Sequence, residues 1–196
     1  MIVTEVDEQF PFHPPTVRAD GCHLGQVIKD LEGIISPRKV KEDVDAMTEQ
    51  QRAELMLLWE TGFLWEDVLS QAYGRRLAYR PAEVCVDGIY CNADGLALDG
   101  EDWLIEEYKA TFASSSKGID SNWRWMTQVK GYCYAYSQSH DTTITRARFR
   151  VLWMVGDYSR PFKRQYKVYQ VQFSWQEIGE TWRMIVGHAR RKGWVQ

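Results

Sequence analysis

No apolar run in this chain approaches the roughly 18 residues that a membrane-crossing helix needs, so no membrane association is expected. The opening stretch, MIVTEVDEQF, is acidic and lacks the basic-then-apolar order of a signal peptide. Cysteine is scarce. The four are Cys22, Cys85, Cys91 and Cys133; none forms a CxxC pair, and their spacings match no zinc signature. Cys85 and Cys91 are six positions apart, which would place both on one face of a single strand. Reduced, half-buried thiols in a soluble, cytoplasmic protein are the expectation. Internal repeats and low-complexity segments are absent, which argues against a solenoid or a linker-rich chain. Proline is also sparse, and Pro11, Pro14 and Pro15 crowd into residues 1–20, which read as an irregular N-terminal arm.

What is present suits one compact domain over residues 1–196. Apolar residues make up 44% of the chain, enough for a core of its own, and the 26% charged content is near the globular average. The net charge of −3 conceals an asymmetry: residues 1–110 hold 10 basic and 22 acidic side chains, and residues 111–196 hold 14 and 5. Such a split suggests an anion-binding half and an acidic half.

The patterning gives a mixed order of elements. HLGQVIKDLE (23–32) reads as a short helix, followed by a charged, proline-containing stretch over 36–45. Thr48 and Gln51 form a T-x-x-Q capping box that opens a helix carrying Leu55, Leu58 and Phe63. Gly62 is expected to interrupt it, with a second helix over 63–72 and Gly74 as its stop. Strand signals follow in EVCVDGIYC (83–91), DGLAL (94–98) and WLIEEYK (103–109), the last two pairing as a hairpin across DGED (99–102). Residues 121–139 read as an aromatic-rich helix, and FRVLWMV (149–155) and YKVYQVQF (166–173) as strands. Between these strands lies a loop with Asp157, Arg160, Pro161, Lys163 and Arg164. Ser174 and Glu177 form a second capping box, starting a final helix whose apolar positions are Trp175, Ile178, Trp182, Ile185 and Val186 and whose last turn holds Arg190, Arg191 and Lys192. The predicted fold class is α/β, a central mixed sheet flanked by helices.

The chemistry concentrates in a short span. Asp94 opens one hairpin strand, and Glu107 and Lys109, two apart on the next, share a face while Tyr108 points away. Two carboxylates and an amine thus converge at one sheet edge. Mg²⁺ and Mn²⁺ prefer oxygen ligands, which Asp94, Glu107 and the Tyr108 backbone carbonyl offer. Lys109 is placed to orient a water or neutralise a phosphoryl group.

With Asp94 and an ExK triplet of Glu107, Tyr108 and Lys109, the chain resembles the PD-(D/E)xK nuclease superfamily, in particular the branch of lambda exonuclease and the RecB nuclease domain. GFLWE (62–66) resembles that family's early helix, in which a glycine precedes an acidic ligand; the resemblance assigns this role to Glu66, with Glu60 a competitor. QVKGY (128–132) resembles the branch's Q-x-x-x-Y motif, with Gln128 and Tyr132 on one helix face. The resemblance spans roughly residues 60–173. It implies a restriction-endonuclease-like core, catalytic residues Glu66, Asp94, Glu107 and Lys109, and Mg²⁺ or Mn²⁺ held by Glu66, Asp94, Glu107 and Tyr108. It further implies a DNA substrate positioned by Gln128 and Tyr132, and an end-processing exonuclease of recombination, repair or phage DNA metabolism. Separate recombination or phage proteins are conceivable partners, and a homo-oligomer is compatible with it. Departures are visible: Ala93 stands where the family often has proline, and Glu106 offers a second frame without a lysine two positions later. His23 is a weak match to a histidine of some relatives, and the iron–sulfur cysteines of others have no counterpart after Cys133.

Two further features belong with a DNA substrate. Trp123 and Trp125 flank Arg124, an aromatic–basic alternation able to stack bases and contact phosphates, with core packing the competing reading for the two tryptophans. Arg146, Arg148 and Arg150 alternate at strand spacing and form either a DNA-backbone stripe or a solvated strand face.

Overall fold

The computed structural model describes residues 19–35, 47–73, 78–114, 118–155 and 166–196. The expected N-terminal arm (apart from its last two residues), the stretch over 36–45, the Gly74 helix stop and the loop holding Asp157, Arg160, Pro161, Lys163 and Arg164 lie outside them. Among the described residues no helix is long and apolar enough to cross a membrane.

The elements run β1 (Cys22–His23), α1 (Leu24–Ile35), α2 (Glu49–Tyr73), β2 (Ala78–Tyr79), β3 (Val84–Val86), β4 (Ile89–Cys91), β5 (Gly95–Asp99), β6 (Asp102–Ser114), α3 (Trp123–His140), β7 (Arg146–Val155), β8 (Tyr166–Gln172) and α4 (Trp175–Arg191). The larger sheet has the order β2-β5-β6-β7-β8, and a smaller one has β1-β4-β3. β6 and β7 are parallel and joined through α3; the other pairs of the larger sheet are antiparallel. The result is the expected α/β architecture, mixed sheets flanked by four helices.

The helix ends are written in the sequence. In the first capping box, the Thr48 N–H donates to Gln51 Oε1 at 2.8 Å and the Gln51 N–H to Thr48 Oγ1 at 3.3 Å. Ser174 and Glu177 reciprocate in the same way at the start of α4. Asn122 caps α3 by accepting from the Trp125 N–H at 3.2 Å. Each box satisfies N–H groups that the first helical turn leaves without a partner.

Two expectations are corrected. Gly62 does not interrupt α2, which continues to Tyr73. A glycine costs a helix about 1 kcal/mol, but side chains beyond it anchor the helix to the sheet: Leu69 is buried, and the Trp65 indole N–H reaches the Arg150 carbonyl at 3.5 Å. The run 83–91 is two strands, not one. Asp87 (φ 50°) and Gly88 (φ 76°) both occupy the left-handed region, the signature of a tight two-residue hairpin turn. Val84 therefore pairs with Cys91, and Cys85 is exposed while Cys91 is buried, so the two cysteines do not share a face. All four cysteines are free thiols.

Side chains of β6 alternate between two environments. Ile105 joins the main core with Phe149, Val151, Val129, Tyr132, Ile178 and Ile185, where α1, α3 and α4 pack on the sheet. Leu104 faces the other way, with Ala97. That second side holds Tyr166, against which Trp65 of α2 packs edge-on at 5.5 Å between ring centroids. α2 and α3 thus lie on opposite faces of β6, and the strand carries chemistry toward both.

Candidate active site

Register places the strand acids together. Gly95 pairs with Glu106, so the antiparallel ladder extended by one step sets Asp94 opposite Glu107. The Tyr108 N–H donates to Asp94 Oδ2 at 2.8 Å, which fixes the Asp94 carboxylate against β6. Glu107 has no solvent exposure, and its Oε1 receives a charge-assisted hydrogen bond from Lys109 Nζ. The other oxygen, Oε2, is buried with no hydrogen-bond partner. Burial foremost, then the nearby Asp94 charge, pushes the Glu107 carboxyl up to about 8, against the downward pull of Lys109. Burial pulls the Lys109 ammonium down, but Glu107 and Asp94 more than offset this and hold it above its ordinary value. Its side chain remains 20% exposed, so a charged donor faces the opening beside a buried acid.

Glu66 approaches from α2. It is half-buried, whereas Glu60 on the same helix is exposed, and its charge contributes to the upward shift at Glu107. Its Oε1 pairs with Arg80 Nη2 at 2.9 Å. Among the described residues no three His, Cys, Asp or Glu side chains are gathered closely enough to enclose a metal ion. The donor set nevertheless suits a hard cation: two neighbouring carboxylates, one buried with an orphaned oxygen, and a third acid whose field reaches them.

α3 supplies the opposite wall. Gln128 Nε2 donates to Tyr132 Oη at 2.9 Å. The Tyr132 hydroxyl is held well above its usual range, first by burial and then by the charges of Glu107 and Asp94. Tyr132 therefore looks onto the acids. One turn before Gln128, Arg124 lies near enough to Lys109 for its charge to oppose that ammonium, and it reaches Glu32 at 3.7 Å. Trp125 stacks on Phe149 with ring centroids 6.3 Å apart, which commits it to the core. Trp123 is partly buried against that core. His23 sits in β1, with Nδ1 3.5 Å from Glu83 and Nε2 2.8 Å from the Ala19 carbonyl oxygen.

The arginine stripe is committed to ion pairs. Arg146, Arg148 and Arg150 do share a face; Arg150 is buried, and Arg146 and Arg148 are partly exposed and paired with carboxylates. Arg150 grips fully buried Glu106 through Nε at 2.8 Å and Nη2 at 3.2 Å, and Arg148 adds Nη1 at 3.0 Å. Arg146 Nη2 lies 2.6 Å from Asp99 Oδ2. The physical reason is the parallel β6–β7 pairing, which lays the basic strand against an acidic one. Glu106 is thereby engaged by arginines on the α2 side, while Glu107 pairs with Lys109 on the other.

One residue at the site was not foreseen. Tyr136, fully buried on α3, accepts from the Ala93 N–H at 3.2 Å and donates to the Ala82 carbonyl at 2.9 Å. The available signal was its position four residues after Tyr132, which continues the face of Arg124, Gln128 and Tyr132.

No family model and no curated protein matches the sequence. Among solved structures the chain is similar to a phage-related exonuclease from Haemophilus somnus 129PT, with 12% identity, 86% of this chain and 79% of that one covered, and a TM-score of 0.46. It is also similar to an alkaline exonuclease from Laribacter hongkongensis, with 13% identity, 88% and 93% covered, and a TM-score of 0.41. Neither likeness identifies a function for this chain.

Proposed function

We propose that this protein is a metal-dependent deoxyribonuclease that hydrolyses DNA phosphodiester bonds and processes DNA ends as an exonuclease. The observation that carries the reading is the convergence of Asp94, fully buried Glu107 with its unpartnered Oε2, and the Lys109 ammonium at one edge of β5 and β6. A buried carboxylate oxygen without a donor is costly unless a cation or proton meets it. Asp94, Glu107 and Glu66, with the Tyr108 carbonyl, would hold one or two Mg²⁺ or Mn²⁺ ions, which when bound supply Lewis-acid activation of water and neutralisation of phosphoryl charge.

The chain's own groups do the rest. Lys109 presents an ammonium to the attacking water or to the phosphoryl oxygens as negative charge grows there. Tyr132, with its hydroxyl fixed by Gln128, holds the DNA strand beside the acids. Arg124 adds a cation for a flanking phosphate. Arg146, Arg148 and Arg150 are left out of this set, because each is engaged by carboxylates of β5 and β6.

The test is incubation with linear and covalently closed circular DNA in Mg²⁺, Mn²⁺ or EDTA. Linear DNA should be degraded with either metal and remain intact in EDTA. Degradation in EDTA sinks the reading. Cutting of closed circles replaces the exonuclease with an endonuclease. A second reading, a nuclease-like fold that binds nucleic acid without cutting, draws on Glu66, whose Oε1 is engaged by Arg80. DNA binding with no cleavage under any metal would select it.

A further inference from the structure

Asp94 can serve at the site only if the short link between β4 and β5 delivers it to the same place each time. That link is Asn92, Ala93 and Asp94, three residues outside any strand. Backbone with no ladder to fix it needs its hydrogen bonds met elsewhere. The Asp94 carboxylate is tied by the Tyr108 N–H, but this holds only the end of the side chain. The backbone just before it is held by one hydroxyl. Tyr136 Oη accepts the Ala93 N–H at 3.2 Å, donates to the Ala82 carbonyl at 2.9 Å and lies 3.4 Å from the Cys91 carbonyl. One atom on α3 therefore joins the segment entering β3 to the segment leaving β4. The ring itself is fully buried and stacks on His140 at 5.8 Å.

The residue type at position 93 suits this contact. Proline fixes its own backbone φ and offers no N–H. Alanine leaves φ free and adds a donor, and here that donor is the group Tyr136 accepts. We infer that Tyr136 is a positioning residue for the metal site: its hydroxyl fixes the Ala93 backbone and thereby aims Asp94 at the cation it shares with Glu107. Together with Gln128 and Tyr132 it makes one α3 face that orders both walls of the site. The inference rests on the metal-site reading above.

The test compares Tyr136→Phe, which keeps the ring and removes only the hydroxyl, with the unmodified protein and with Ile178→Val, a core truncation on α4. Mn²⁺ affinity is measured by direct titration without DNA, and thermal stability on the same samples. Tyr136→Phe is expected to bind Mn²⁺ about tenfold more weakly. The Mn²⁺ concentration giving half-maximal cleavage should rise by the same factor, while the rate at saturating Mn²⁺ changes less than threefold. Ile178→Val should lower the melting temperature and leave Mn²⁺ affinity unchanged. Hydrogen exchange at the Ala93 amide of the unmodified protein needs no variant and should be strongly retarded. Mn²⁺ affinity in Tyr136→Phe equal to that of the unmodified protein overturns the inference and leaves the nuclease reading intact. Exchange at Ala93 as fast as in an open chain overturns it equally. An unmodified protein that binds no Mn²⁺ overturns both.

Discussion

At the scale of single residues, the neighbours Glu106 and Glu107 show how one strand position decides a carboxylate's work. Both are fully buried, but Glu106 meets two guanidinium groups and Glu107 meets one ammonium and keeps a bare oxygen. The first is a structural ion cluster. Removing one member of such a cluster leaves an uncompensated buried charge, so Glu106→Ala is expected to destabilise the protein by about 3–5 kcal/mol in denaturant unfolding. The second is the one proposed for chemistry. Lys109→Ala should slow single-turnover cleavage at least a hundredfold, in line with roughly 3 kcal/mol for one contact to a developing charge, and should leave Mn²⁺ binding in place. Cleavage at the parent rate would remove Lys109 from the mechanism. The arginines divide in the same way. Arg124→Ala should lower the slope of log affinity for DNA against log salt by about one, whereas Arg146→Ala should leave that slope alone and lower stability instead. The pairing of Glu107 with Lys109 was legible from the sequence because a two-residue spacing on a strand fixes a common face. The employment of Glu106 was not, because its partners come from a strand some 40 positions away and only the parallel register brings them near.

At the scale of elements, legibility followed the range of the interaction. The capping boxes of α2 and α4 and the β5–β6 hairpin are local, and each was readable from residues a few positions apart. The turn at Asp87 and Gly88 was equally local, and its Asp-Gly pair is a hairpin signal, but the β-formers on both sides read as one continuous strand; two consecutive left-handed residues mark the turn in the structure. The two-residue strands β1 and β2 had no pattern to give, since each exists only by pairing with a distant strand. Gly62 was misread for the opposite reason: helix propensity argued for a break, and packing along β6 overrode it. That account is testable. A Cβ built at Gly62 meets no atom within 4 Å, so Gly62→Ala should raise stability by about 0.5–1 kcal/mol. Gly131, inside the Q-x-x-x-Y motif, should respond with the other sign. A Cβ there would lie 2.9 Å from Leu24 Cδ2, where α1 closes on α3, so Gly131→Ala should lower the melting temperature and loosen the wall that carries Gln128 and Tyr132. A loss of stability in Gly62→Ala would show that α2 is not open around that position, and an unchanged melting temperature in Gly131→Ala would show that α1 does not close on α3 there.

At the scale of the whole molecule, the charge asymmetry of the sequence is spent partly inside the fold. The acidic first half and the basic second half meet along β5, β6 and β7, where Asp99, Asp102 and Glu106 neutralise Arg146, Arg148 and Arg150. Among the described residues the acidic edge at Asp94 and Glu107 sets two carboxylates against one ammonium, Lys109, and stability is expected to depend there on pH and on metal. The Glu107 carboxyl is raised from its ordinary 4.5 to about 8, chiefly by burial. The folded protein then holds that proton more tightly than the unfolded chain, so between about pH 4.5 and 8 the folded state carries the extra proton. Stability from this group is full below the unfolded value and is lost as pH rises through the folded one, by at most about 1.4 kcal/mol per pH unit. Lys109, raised above its ordinary 10.5, keeps its charge throughout that window. In EDTA the melting temperature should consequently fall from pH 5 to pH 8 more steeply in the unmodified protein than in Glu107→Gln, which carries no titrating group at that position. Mg²⁺ or Mn²⁺ competes with the same proton, so the stabilisation either metal confers should grow as pH rises and should be small at pH 5. The difference between the two proteins isolates this carboxylate from every other group in the chain. Identical pH profiles in EDTA, or a metal effect independent of pH, would show that Glu107 neither holds the raised proton nor serves as the metal ligand proposed for it.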